Sequence, residues 1–243
     1  MMESIKKAFV LSVKALKLFY VIAAFNIVAN IVNLLTVPSP ADDMTIGKSI
    51  FVIILTIVIS LIAIFMAAGS LAFIRDLVRS GSAGLETFIA NGKRFFLRLA
   101  GITLLIVLIF VVLGVVLSFI AGVLPNVLKI VMTILMTVVF IAAAVMFVMP
   151  AYALVGSDLG TIASVKKGVY IGKKYFLKIL GMAALLFLVA IVMTVLASFV
   201  TGVLSLILRP LSGYIAAIVM AISSAVLAVL VNIAYMDFYL KSS

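Results

Sequence analysis

The chain has 243 residues, 67% of them hydrophobic, with a net charge of +11 and no Cys, His or Trp. Its mean hydropathy of +1.51 lies far outside the roughly half-apolar usage of soluble domains. The missing residue types exclude disulfides, thiolate and imidazole metal sites, and Cys or His catalysis. A nucleic-acid stripe is excluded too, because it needs a soluble face to sit on.

Apolar runs long enough to cross a bilayer core of about 30 Å follow one another along the chain. The chain begins with a basic segment containing Lys6, Lys7, Lys14 and Lys17. The run after it, 18–37, is too long for a signal-peptide core and has no small-residue cleavage site, so it reads as a retained first span. Asn26, Asn30 and Asn33 lie on one face of that span at i, i+4 and i+7. An amide facing lipid is costly, so the stripe is expected to face another helix or a wet path. Both readings, interhelical bonding and a polar conduit, stay open at this stage, with Asn232 on the last span as a partner.

A Pro-rich outer turn at 38–43 leads to the second span, 50–74. The basic segment 75–99 precedes the third span, 100–124, and Pro125-Asn126 turns the chain into the fourth, 130–153. Pro150 is expected to kink the fourth span. A second basic segment, 156–178, leads to the fifth span, 179–207; Arg209-Pro210 turns into the sixth, 211–235. Small residues at four-residue spacing, among them Ser118 and Gly122, Ser198 and Gly202, and Ala217, Ala221 and Ala225, predict close helix packing.

With six spans, one side carries Lys6, Lys7, Lys14, Lys17, Arg75, Arg79, Lys93, Arg94, Arg98, Lys166, Lys167, Lys173, Lys174, Lys178 and Lys241. The other carries only Lys48, Lys129 and Arg209, offset by Asp42 and Asp43. The bias places both termini in the cytoplasm and the chain in the cell membrane as a multi-pass protein. Lys6, Lys7, Lys93, Arg94, Arg98, Lys166, Lys167, Lys173, Lys174 and Lys178 are expected to face anionic lipid headgroups at that surface.

The sequence also repeats. Residues 164–204 match 84–124 without a gap at a spacing of 80, so that Gly92-Lys93-Arg94-Phe95-Phe96-Leu97-Arg98 returns as Gly172-Lys173-Lys174-Tyr175-Phe176-Leu177-Lys178. Ser4-Ile5-Lys6-Lys7 falls on Ser164-Val165-Lys166-Lys167 two periods later. The expected architecture is an all-α integral membrane protein of six transmembrane helices. It forms a single membrane domain built from three parallel pseudo-repeats, 4–83, 84–163 and 164–243. Each unit is an amphipathic segment followed by a transmembrane hairpin. In the third unit Ile162, Val165, Val169, Phe176 and Ile179 form an apolar stripe with the lysines largely off it. This pattern predicts a helix in the headgroup plane, with a simple extension of the next span as the alternative.

The stretch from Thr161 to Leu186, with Ser164, Lys173-Lys174 and Tyr175-Phe176 before the span, resembles a group of six-span prokaryotic membrane proteins. That group includes the membrane domain of glycerophosphoryl diester phosphodiesterases. Lys93-Arg94 and Phe95-Phe96 repeat the pattern. The resemblance implies a membrane module; the hydrolytic activity does not carry over, because the chain has no histidine and no soluble phosphodiesterase domain.

Ionisable residues are absent from the middle of every span, which argues against a proton-coupled pump. Asp76, Asp158 and Asp237 near the span ends are expected to pair locally with basic neighbours. No catalytic residue, metal ligand or cofactor is expected. The expected function is a non-enzymatic module that binds lipid or a membrane-protein partner, which includes a second copy of itself. The alternatives are a permease or channel lined by the Asn stripe, and a membrane-shaping protein.

Overall fold

A computed structural model describes residues 1–36, 46–122 and 125–243; the side chains of residues 121, 126 and 127 are outside the description. The turn expected at 38–43 lies outside the described residues. The described residues form nine α-helices and one 3₁₀ turn: α1 (Met2–Lys14), α2 (Leu16–Thr36), α3 (Ile46–Ser80), α4 (Phe88–Gly122), α5 (Asn126–Phe147), α6 (Pro150–Ser157), α7 (Thr161–Lys174), α8 (Phe176–Ile207) and α9 (Ser212–Ser242), with the 3₁₀ turn at Arg209–Leu211. Six helical stretches are long and apolar enough to cross a membrane, and at most 22% of any apolar window is buried inside the bundle. Their outward surface is therefore apolar, as lipid requires.

Several helices outrun the apolar runs read from the sequence. α3 and α4 are 35 residues each, about 52 Å at 1.5 Å per residue, against a core of about 30 Å. The surplus on α3 carries Arg75, Asp76 and Arg79, and on α4 Lys93, Arg94 and Arg98. Continuing the helix keeps every backbone group paired while the charged residues leave the hydrocarbon. Pro150 does more than kink the fourth span: α5 stops at Phe147 and α6 restarts with Pro150 at its first position. Proline has no N–H to donate, and its ring clashes with the carbonyl four residues back.

The basic segments behave differently along the chain. α1 and α7 are separate helices, ending at Ala15 and Tyr175, whose backbones leave the helical region. The segment at 84–99 does not form such a helix. Its residues Gly92–Arg98 run inside α4, and the helix begins only at Phe88. Ser80, Gly81, Ser82 and Gly84 are poor helix formers, and Gly81 adopts φ +75° just past the end of α3, the usual left-handed helix stop.

Packing is concentrated at the basic end. The core combines Ile5, Ala8 and Leu11 of α1, Leu71, Ala72 and Ile74 of α3, and Phe95 and Ile102 of α4. Tyr152 to Val155 of α6, Ile171 of α7, Met182 of α8, and Ile233 to Met236 of α9 complete it. α3, α6 and α9 touch one another; α1 lies on α9, α4 on α3, and α7 on α5 and α6. The other halves of the spans expose their large apolar residues, such as Phe51 and Ile54 of α3, Val111 and Val115 of α4, and Phe199 of α8.

Two backbone contacts fix α7. A Cβ on Gly168 would lie 2.5 Å from Pro150 Cα, and one on Gly172 would lie 2.7 Å from the Met146 carbonyl oxygen. With Ser164 they form a small-residue ridge at four-residue spacing, all buried. Two of the small pairs expected to pack do not do so. Gly122 and Gly202 have nothing within 4 Å of a built Cβ, and Ser118 and Ser198 are exposed. Ala221 and Ala225 are buried. Four-residue spacing marks a smooth face; it does not say whether a neighbour covers it.

Candidate functional site

α3 and α6 end at the basic side, so their last carbonyls lack helical partners and carry the negative end of the helix dipole. Cations from neighbouring helices meet them. Arg75 Nη1 donates to the Val155 carbonyl at 3.3 Å, and Arg79 donates to the Gly156 carbonyl. Lys7 Nζ donates to the Val78 carbonyl at 3.4 Å, and Lys14 Nζ to the Gly81 carbonyl at the same distance. Arg75 also pairs with Asp76 at 2.8 Å and lies 5.9 Å from the centre of the Phe95 ring. Arg94 and Arg98 both pair with Asp158, which adopts φ +51° as the left-handed residue after α6.

Asp237 of α9 is the one buried carboxylate among the described residues, its side chain 2% exposed. Lys7 Nζ stands 2.8 Å from its Oδ1 and Lys241 Nζ 3.1 Å from its Oδ2. Lys167 of α7 is also engaged within the bundle: its Nζ donates to Ser157 Oγ at 3.0 Å and lies 5.6 Å from the Tyr239 ring centre. Lys7 and Lys167, read from the sequence as facing headgroups, are thus turned inward and half-buried. Lys6, Lys93, Arg94, Arg98, Lys166, Lys173, Lys174 and Lys178 are exposed. Lys174 and Lys178 lie 5.1 and 5.5 Å from the centre of the Tyr175 ring.

The Asn stripe faces α9. Asn26 Nδ2 donates to Ser224 Oγ at 2.9 Å and Asn30 Nδ2 to the Ala217 carbonyl at 3.3 Å; Asn33 is exposed. Both bonds run between helices, in the geometry of the interhelical-bonding reading. Changing Asn26 or Asn30 singly to Leu is expected to cost about 0.6–2 kcal/mol of bundle stability, read from thermal melts in detergent. A fall in flux through a folded, unshifted Asn30→Leu protein in proteoliposomes would instead favour the conduit.

Asn232 is not part of that stripe. Its Oδ1 accepts a 2.7 Å hydrogen bond from the Tyr152 hydroxyl, and the Tyr152 and Tyr235 rings lie 5.7 Å apart. Tyr152 and Asn232 stand at the bottom of a cavity of about 400 Å³. Ala63, Ile64, Ala67 and Leu71 of α3, with Leu99 and Thr103 of α4, form much of its wall.

Sequence reasoning missed Tyr152 and the capping role of Arg75 and Arg79. One signal was present: Tyr152 and Asn232 are polar residues 80 positions apart, the spacing of the expected repeat. Comparison with known proteins finds no matching family model, no matching curated protein and no matching solved structure.

Proposed function

We propose that this chain is a non-enzymatic membrane module that gathers anionic lipid around a basic rim, with both termini in the cytoplasm. The observation that carries the reading is what remains after internal capping. Lys6, Lys93, Lys166, Lys173, Lys174 and Lys178 stay exposed at one end, beside exposed Phe9, Leu97, Ile162, Tyr170 and Leu177. Cations next to apolar and aromatic residues suit the boundary between headgroups and acyl chains, and each is worth about 1 kcal/mol near an anionic surface.

Three parallel pseudo-repeats are part of this proposal. Residues one period apart can bond each other only close to a rotation axis, and Tyr152 and Asn232 do so. The contacts of α1 with α9, α4 with α3, and α7 with α6 support a cyclic order in which each unit leans on the second span of the one before it. The amphipathic segments then lie between bundle and lipid. α7 presents Ser164, Gly168 and Gly172 to the bundle and leaves Ile162 and Lys166 exposed. The family resemblance read at Thr161 to Leu186 fits a module of this kind.

The triple variant Lys166→Glu, Lys173→Glu, Lys174→Glu tests the rim. In proteoliposomes, spin-labelled phosphatidylglycerol should be enriched at the wild-type surface over phosphatidylcholine, and the variant should lose that preference. Equal selectivity in both proteins would refute the reading. Lys7 and Lys167 are the wrong residues for this experiment, because changing them disturbs internal contacts.

A further inference from the structure

The open cavity above Tyr152 and Asn232 is separate from the basic rim and has its own chemistry. Along α3, Ala63 stands twelve residues before Arg75, about 18 Å at 1.5 Å per residue. The cavity therefore extends from near the charged end toward mid-membrane depth. Its polar groups lie low: Asn232 is five residues from Asp237, and Thr103 five from Arg98. Its upper wall, Ala63, Ile64 and Ala67, is apolar. No charged residue is among the described residues that line it. A volume of about 400 Å³ lies within the roughly 300–1,000 Å³ typical of small-molecule sites.

The hydrogen-bond inventory narrows the ligand. Tyr152 gives its proton to Asn232 Oδ1, which leaves the phenolic oxygen as an acceptor and Asn232 Nδ2 as a donor. Thr103 gives its proton to the Leu99 carbonyl and keeps its oxygen lone pairs. A donor beside acceptors matches a hydroxyl, which does both. A carboxylate or phosphate would be desolvated here with no cation in the lining to offset it.

We propose that this cavity binds a membrane lipid with an uncharged hydroxyl headgroup, of the diacylglycerol class. The hydroxyl sits on Tyr152 and Asn232, and the acyl chain lies against Ala63, Ile64 and Ala67. The headgroup then rests near the level of the inner lipid interface and the chain points to the bilayer centre, as the amphiphile already lies in the membrane.

The test uses the full chain in phosphatidylcholine vesicles with a diacylglycerol carrying a diazirine on one acyl chain. Saturable labelling should map by mass spectrometry to α3 between Ala63 and Leu71 or to α4 near Thr103. The variants Ala67→Phe and Ala63→Phe fill space at positions that are not fully buried, and either should cut labelling by about tenfold or more, since the site is occupied. A fatty acid with the same diazirine should label weakly at alkaline pH, where its carboxyl is ionised in the bilayer. Labelling that is non-saturable, unchanged in both filling variants, or equal for the fatty acid would overturn the proposal. The phosphatidylglycerol preference of Ala67→Phe should match wild type, so loss of cavity labelling and loss of the rim are read separately.

Discussion

Replacing Gly168 by alanine is expected to destabilise the bundle by about 1–3 kcal/mol or more, the usual cost of overpacking a tight contact. The added methyl would stand 2.5 Å from Pro150 Cα, and it meets backbone, which cannot rotate away. Pro150 is itself constrained as the first residue of α6, so relief requires α7 to move off the bundle. Gly172→Ala meets the Met146 backbone and should act in the same direction. Gly92→Ala meets only the Phe65 ring, 2.8 Å from its tip; a ring can turn, so a smaller loss is expected. Gly202→Ala, in open space, should be neutral or slightly stabilising, since alanine is the better helix former by about 1 kcal/mol. Thermal melts in detergent followed by circular dichroism would rank the four. If Gly168→Ala and Gly202→Ala melt alike, α7 does not pack backbone-to-backbone on α6.

Removing the Lys7 ammonium should cost nearly as much, for an electrostatic reason. Asp237 is buried, and its two cations come from opposite ends of the chain, Lys7 on α1 and Lys241 on α9. Lys7→Met leaves the carboxylate with Lys241 alone, and a loss of about 2–3 kcal/mol is expected, in the range of charge-assisted hydrogen bonds. Asp237→Asn should cost a similar amount. Removing both charges, in Lys7→Met with Asp237→Leu, should recover most of the loss, because burying the unpaired partner is what is expensive. A double-mutant cycle measures this coupling; strictly additive losses would show that the pair does not hold α1 on α9. Glu3→Gln is the control, since the Lys241–Glu3 contact is exposed and should contribute well under about 1 kcal/mol.

These two sites show where sequence reading succeeds and where it stops. The six spans were legible because hydropathy is a sum over neighbours and needs no partner. Pro150 announced a kink through the missing N–H, and the structure makes it a break between α5 and α6. The basic residues were read as one class, however, and three-dimensional packing divided them. Lys7 and Lys167 turn inward while Lys6 and Lys166, one residue earlier, stay exposed. A one-residue step is about 100° around a helix, so the division depends on helix rotation alone. Two of the small-residue pairs failed similarly: Gly168 and Gly202 look alike in sequence, yet one touches backbone and the other has open space at its Cβ.

By itself, then, the amino-acid order determined the solvent and the number of helices long and apolar enough to cross a membrane. Those properties are local sums, and lipid imposes them on any chain of this composition. Apart from α2, whose Asn26 and Asn30 mark the face turned to α9, only the tertiary structure decided the rotation of the spans, because spans that are apolar all round have no face that marks the inside. Contacts between distant residues, Gly168 with Pro150, Lys7 with Asp237 and Tyr152 with Asn232, set those rotations. They thereby separate the cations that hold the bundle from those that stay exposed, and they build a polar floor beneath an apolar cavity.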